Sequence, residues 1–124
     1  MSDLTAFLTA RLDEDEQQTR KLLCRAQEVC LELKEPKLLG RHIPGWDSWC
    51  DVEKLCVRAL REVEAKRRIM GRHRDDGCGY CAGCETSTRH SGIRELAPSG
   101  ECPEKRDLAA IYSDHPDYRQ EWAP

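Results

Sequence analysis

The chain has 124 residues, of which 35% are charged and 6% aromatic, and a net charge of -3. That length suits one small domain with a modest core, and the negative balance argues against a general polyanion binder, although a local basic patch can outweigh a mean. No apolar run reaches bilayer length, and Met1 to Ala10 carries Asp3 without a basic start, so neither a membrane span nor a secretory leader is expected and the chain reads as cytoplasmic.

The first periodic stretch runs from about Leu4 to Lys34. Leu4, Leu8 and Leu12, then Leu22, Ala26, Val29, Cys30 and Leu33, share one helical face. Ser2 or Asp3 is placed to cap its start, and Pro36 with Gly40 to stop it. Such a helix is about 45 Å long, so a break near Gln17 to Thr19 would suit a small domain. Leu38 to Trp49 reads as a loop with a tight turn at Pro44-Gly45, and Trp46 and Trp49 are expected to close over the helix ends.

A second helix is expected from Ser48, whose spacing to Asp51 resembles a capping box. Val52, Leu55, Cys56, Ala59, Leu60, Val63 and Met70 make its apolar stripe, which fades at Gly71. If the two helices are antiparallel, Asp15 falls within the first stripe at the height of Lys66 and Arg67. A lone carboxylate there is costly, so Asp15 is expected to pair with one of them as a register pin. Asp13-Glu14-Asp15-Glu16 otherwise fans around its helix and does not converge on a site.

Residues from Arg72 to Glu101 have no periodicity and hold most of the Gly, Ser and Thr, which reads as an irregular lobe. Pro103 fits the first position of a third helix, with Leu108, Ile111 and Tyr112 inward. His115-Pro116 begins a last short helical turn carrying Tyr118 and Trp122. The expected fold is all-α and a single domain over 1–124. It comprises an antiparallel helical hairpin (1–74), an irregular metal-binding lobe (75–102) and a C-terminal helical clasp (103–124).

The lobe carries the legible chemistry, Cys78-x-x-Cys81-x-x-Cys84 with His73 before it and Cys102-Pro103 after it. In a reducing compartment, eight cysteines read as metal ligands or small buried hydrophobes before they read as disulfides. A tetrahedral zinc site commonly takes two ligands from a Cys-x-x-Cys turn and two from elsewhere. His73, Cys78, Cys81 and Cys102 meet that need, with Gly79 and Gly83 easing the turn. Cys84 is then a spare thiol or stands in for His73. The rival reading is a 4Fe-4S cluster on Cys78, Cys81, Cys84 and Cys102-Pro103. Cys24 and Cys30, like Cys50 and Cys56, are six residues apart, about 240° around a helix, and read as buried hydrophobes.

Lys66, Arg67, Arg68, Arg72 and Arg74 form a basic run. It reads either as a phosphate-contacting helix end or as a solvated face supported by Glu62 with Lys66 and Glu64 with Arg68. Only Tyr80 offers aromatic stacking nearby. There is no nucleophile elbow, phosphate loop or His-Glu-x-x-His motif, and His42, His90 and His115 are isolated, so no enzyme is expected.

Leu12-Asp13-Glu14-Asp15-Glu16, Glu62-Val63-Glu64-Ala65-Lys66-Arg67-Arg68-Ile69 and the ending from Tyr112 to Trp122 together resemble a small actinobacterial and actinophage family, Domain of Unknown Function 6221. Its pattern of a His after the basic helix, a Cys-x-x-Cys pair and a Cys-Pro before the last helix corresponds to His73, Cys78 with Cys81, and Cys102-Pro103. This chain departs in adding Cys84, and in continuing a helix over Leu22 to Lys37 where the family often turns into a Pro-Gly-Trp loop. The resemblance implies an actinobacterial or phage origin and no known activity. The expected function is a non-enzymatic zinc-binding module for a protein partner. The alternatives are a regulator touching nucleic acid through the basic helix end, and an iron–sulfur redox sensor.

Overall fold

A computed structural model describes residues 2–33, 46–75, 80–87 and 94–124, with backbone alone at 30–33, 46–48, 85–87, 94–97 and 99. The expected stop at Pro36 and Gly40, the Pro44-Gly45 turn and the ligand Cys78 lie outside the described residues, as do the side chains of Cys30 and Trp46.

Helix α1 spans Asp3–Leu33 without the break considered at Gln17 to Thr19. Neither Gly nor Pro interrupts it, and Glu16 pairs with Arg20 at 2.8 Å across that point. Ser2 caps the start, its Oγ accepting from the Thr5 amide at 3.2 Å. Helix α2 spans Trp46–Arg72. It begins two residues before Ser48, so that residue lies inside the helix and does not cap it. Trp49 is likewise a half-buried helical residue and not part of a loop. Among the described residues no helix is long and apolar enough to cross a membrane.

The chain divides into two compact units, one of Met1–Asp13 with Ala65–Pro124, the other Glu14–Glu64. In the first, Met70 packs against the core of Leu4, Phe7, Leu8, Ala109 and Trp122, while Arg67 Nη2 donates to Asp13 Oδ1 at 2.8 Å. Numbers that rise along α1 meet numbers that fall along α2, which makes these two helix ends antiparallel. Among the described residues of the second unit the buried ones are small, Ala26, Cys56 and Val63. Two helix segments are its only described elements. Leu22 and Leu55, expected inside, remain 45% and 62% exposed.

The lobe is not wholly irregular. Strands β1 (Tyr80–Ser87) and β2 (Arg94–Pro98) pair antiparallel, Tyr80 opposite Pro98 and Glu85 opposite Leu96, with the register broken between Tyr80 and Glu85. A 3-10 turn at Ser99–Glu101 leads to α3, Pro103–Ala110, with Pro103 at its first position as expected. Helix α3 ends before Ile111, which is 55% exposed and not inward-facing. Its buried residues are Lys105 and Ala109.

The ending folds back by turns, and only Gln120–Trp122 forms a 3-10 turn, so Tyr118 and Trp122 do not share a helix. They meet edge to face, centroids 6.0 Å apart, and Trp122 lies 5.0 Å from Phe7. Tyr112 and His115 also stand edge-on to Phe7, at 6.3 and 5.8 Å. The aromatic clasp therefore closes over the first turns of α1. Among the described residues the chain is mostly helical, with a small two-stranded lobe and a short C-terminal segment.

Candidate metal centre

Three elements deliver four donor atoms to one place. His73 continues the hydrogen bonding of α2, its amide donating to the Ile69 and Met70 carbonyls at 3.1 Å. Cys81 and Cys84 come from β1. In a regular strand, residues three apart point to opposite faces, so both sulfurs reach one point only because the register breaks there. Cys102 precedes Pro103 as the N-cap residue of α3. The Ala82 amide donates to the Arg74 carbonyl at 2.8 Å, and Asp75 bridges to Cys81, holding β1 against the end of α2.

His73 Nδ1 lies 3.6 Å from Cys81 Sγ, 3.4 Å from Cys84 Sγ and 3.6 Å from Cys102 Sγ. Cys102 Sγ is 3.6 Å from Cys81 Sγ and 3.4 Å from Cys84 Sγ. All four donor atoms fall within 4.8 Å of one another, and the group could hold a metal ion. Donors around one zinc-sized ion, at about 2.3 Å for sulfur and about 2.0 Å for nitrogen, stand about 3.8 Å apart sulfur to sulfur and about 3.5 Å nitrogen to sulfur. The residues present fit a single tetrahedral ion.

Cys81 and Cys102 are fully buried, while Cys84 is half-buried and marks the solvent edge. Burial pushes the Cys84 thiol far above the ordinary thiol range, helped by the Cys102 and Cys81 thiols and the Glu104 carboxylate. Burial also raises Cys102, against a backbone amide from Lys105 that pulls the other way. Glu104 is held below the usual carboxylate range, first by its own backbone amide. Its Oε2 is 3.4 Å from Cys84 Sγ and 3.7 Å from Cys102 Sγ.

Beside the sulfurs lies a buried ion pair. Lys105 Nζ donates to Asp75 Oδ1 at 2.9 Å and to Thr5 Oγ1 at 3.0 Å, and the Ser2 amide donates to Asp75 Oδ2 at 2.9 Å. This network links α3, Asp75 just beyond the end of α2, and the start of α1.

Of the residues expected at the site, His73, Cys81 and Cys102 come together, joined by the alternate ligand Cys84. His73 and Cys84 are present at once, not in place of each other. Of the cysteines expected inside helices, Cys56 is buried but Cys24 is exposed and Cys50 intermediate. In the basic run Arg67 binds Asp13, and Arg68, Arg72 and Arg74 are exposed while Lys66 is half-buried. Asp15, expected to pin the register, is half-buried. Sequence reasoning missed Asp75, Glu104 and Lys105. Only Glu104 had a signal, its place two residues after a candidate ligand.

The family described as "Family of unknown function (DUF6221)" matches residues 1–124, and the chain belongs to it. No curated protein matches, and no solved structure matches.

Proposed function

We propose that this member of DUF6221 is a non-enzymatic zinc protein, a small interaction or regulatory module whose lobe is stapled by one ion on His73, Cys81, Cys84 and Cys102. The observation that carries the reading is the spacing of those four donors, which matches the edges of a single-ion tetrahedron. Three Cys and one His form a closed structural set with no position left for substrate, which favours a staple over a catalyst. The ion would join the end of α2, β1 and the start of α3, a lobe with little apolar bulk of its own. A four-iron cluster fits less well, since it seats each cysteine on a different iron and holds the sulfurs farther apart than one ion does.

A protein partner is the occupant we favour for its outer surface, in the cytoplasm of an actinobacterium, with the chain encoded by the bacterium or its phage. Leu22 and Leu55 offer apolar side chains to such a partner. The exposed Arg68, Arg72 and Arg74 support the second reading, contact with nucleic acid at the end of α2. Neither reading involves a membrane.

Metal analysis of protein purified without air tests the centre. One zinc per chain with no visible absorption is expected. Iron with sulfide and a brown colour would replace this reading with the cluster, and no metal at all would end both. Capture from host lysate with and without nuclease separates the protein partner from nucleic acid.

A further inference from the structure

We propose that Glu104 is a reserve ligand of the metal centre, a carboxylate that takes the coordination position of Cys84 when that thiolate leaves the ion. The inference rests on the single-ion reading above. Glu104 Oε2 stands 3.4 Å from Cys84 Sγ, 3.7 Å from Cys102 Sγ and 3.7 Å from His73 Nδ1. Near-equal distances to three donors put the oxygen over the triangular face they form, on one side of it or the other. The inner position belongs to Cys81 Sγ, which completes the tetrahedron. The carboxylate therefore lies outside, opposite Cys81, where a fifth donor enters a four-coordinate zinc ion.

Exposure selects which thiolate can leave. Cys81 and Cys102 are fully buried, whereas Cys84 is half-buried and the Glu104 side chain is 47% exposed. The departing and arriving groups share the one open side. The exchange is balanced: one metal–sulfur bond breaks and one metal–oxygen bond forms. An anion leaves and an anion arrives, so the charge of the centre is unchanged and no proton or oxidant is required. An acidic residue anywhere in the first turn of α3 would suit the helix dipole. That preference does not account for an oxygen placed over three ligand atoms. The consequence is a lobe that keeps its ion while Cys84 is released from it.

The test uses Co2+ as a spectroscopic probe of the full chain in a Cys78→Ser background, so that Cys78 cannot substitute. The parent should bind one Co2+ with thiolate-to-metal charge transfer from three sulfurs. Cys84→Ala should keep one ion with about one third less charge-transfer intensity. Adding Glu104→Gln should then weaken Co2+ binding by about 10–100-fold, the size of effect a lost metal-site partner has. Glu104→Gln alone should weaken Co2+ binding far less than it does in the Cys84→Ala background, because three thiolates and His73 still hold the ion. If Cys84→Ala loses the ion outright, or if Glu104→Gln adds nothing to it, the reserve role is overturned while the single-ion reading survives. A parent that binds no Co2+ would overturn both. Far-UV circular dichroism of each variant confirms that its helices persist.

Discussion

Gly83 lies so close to His73 that a Cβ there would stand 2.8 Å from His73 Nδ1 and collide with the Arg72 carbonyl oxygen. The glycine serves close approach: β1 passes the end of α2 with no room for a side chain, which brings Cys81 and Cys84 within reach of His73. Gly83→Ala should therefore push the strand or the imidazole away and weaken Co2+ or Zn2+ binding by about 10–100-fold. Gly71, in α2, has nothing within 4 Å of its added Cβ. Gly71→Ala should leave metal binding alone and stabilise the helix by about 1 kcal/mol or less. Competition titration with a chromogenic chelator reads the first effect and urea denaturation the second. Equal affinities for Gly83→Ala and the wild type would refute the close-approach argument.

Metal binding should be strongly pH-dependent. Burial raises both the Cys84 and Cys102 thiols above their ordinary range in the metal-free fold, so both hold their protons at neutral pH. An ion binds thiolates, so loading must expel those protons. The sign follows: binding strengthens as pH rises, and the stability supplied by the ion is lost as pH falls. At least about two protons should be released per ion near pH 7. Calorimetric titration in buffers of different ionisation enthalpy measures this number, and release of none would show that these sulfurs are not ligands.

The Lys105–Asp75 pair gives an asymmetric prediction. Lys105 is fully buried, and Asp75 is its anionic partner at 2.9 Å. Removing the acid strands a buried ammonium, so Asp75→Ala should cost about 3–5 kcal/mol. Lys105→Met removes the charge that needs pairing and fills similar volume, while Ser2 and Thr5 still donate to Asp75. It should cost less, because the carboxylate left behind is less deeply buried than the ammonium and keeps two hydrogen-bond donors, although losing one partner of the pair is still destabilising. Chemical denaturation of the metal-loaded protein decides it. Equal losses would mean that the pair acts as a unit and not as a solution to a buried lysine.

Much of the helical frame was legible because 3.6-residue periodicity and chain punctuation are local signals. The Ser2 cap, the end of α2 beside His73 and Pro103 at the start of α3 all follow from such signals. The strands were not legible. β1 contains Cys81, Gly83 and Cys84 and bends to serve ligands, so it lacks the alternation that marks a half-buried strand. Burial within each helical stripe was equally hidden. Leu4 and Leu22 sit at the same angle on α1, yet only Leu4 meets the aromatic clasp and is buried. Lys105 fails as a sequence signal because a lysine normally reads as exposed, and its partners Thr5 and Asp75 are distant in the chain. At the metal site, residue types and order pointed to the place, while the convergence of His73, Cys81, Cys84 and Cys102 depended on three-dimensional approach.

The aromatic clasp should matter more than the exposed charge pair beside it. Trp122 is buried with its ring tilted against Phe7 at 5.0 Å, and Phe7 also meets Tyr112, His115 and Tyr118 edge-on. Arg119 covers the Trp122 ring at 5.2 Å and reaches Asp3 at 2.9 Å, tying the ending to the start of α1. Truncating a buried aromatic leaves a cavity that a short peptide cannot refill, so Trp122→Ala should cost about 3–5 kcal/mol. Asp13 and Arg67 also join distant parts of the chain at 2.8 Å, but their side chains are 56% and 40% exposed. Water and salt screen such a pair, and Asp13→Ala should cost no more than about 1 kcal/mol, less at high ionic strength. Ile111→Ala, at an exposed position, should be milder still. Denaturation of the three variants at low and high salt orders them. If Asp13→Ala proved as damaging as Trp122→Ala, the frame would be held by charge register and not by the clasp.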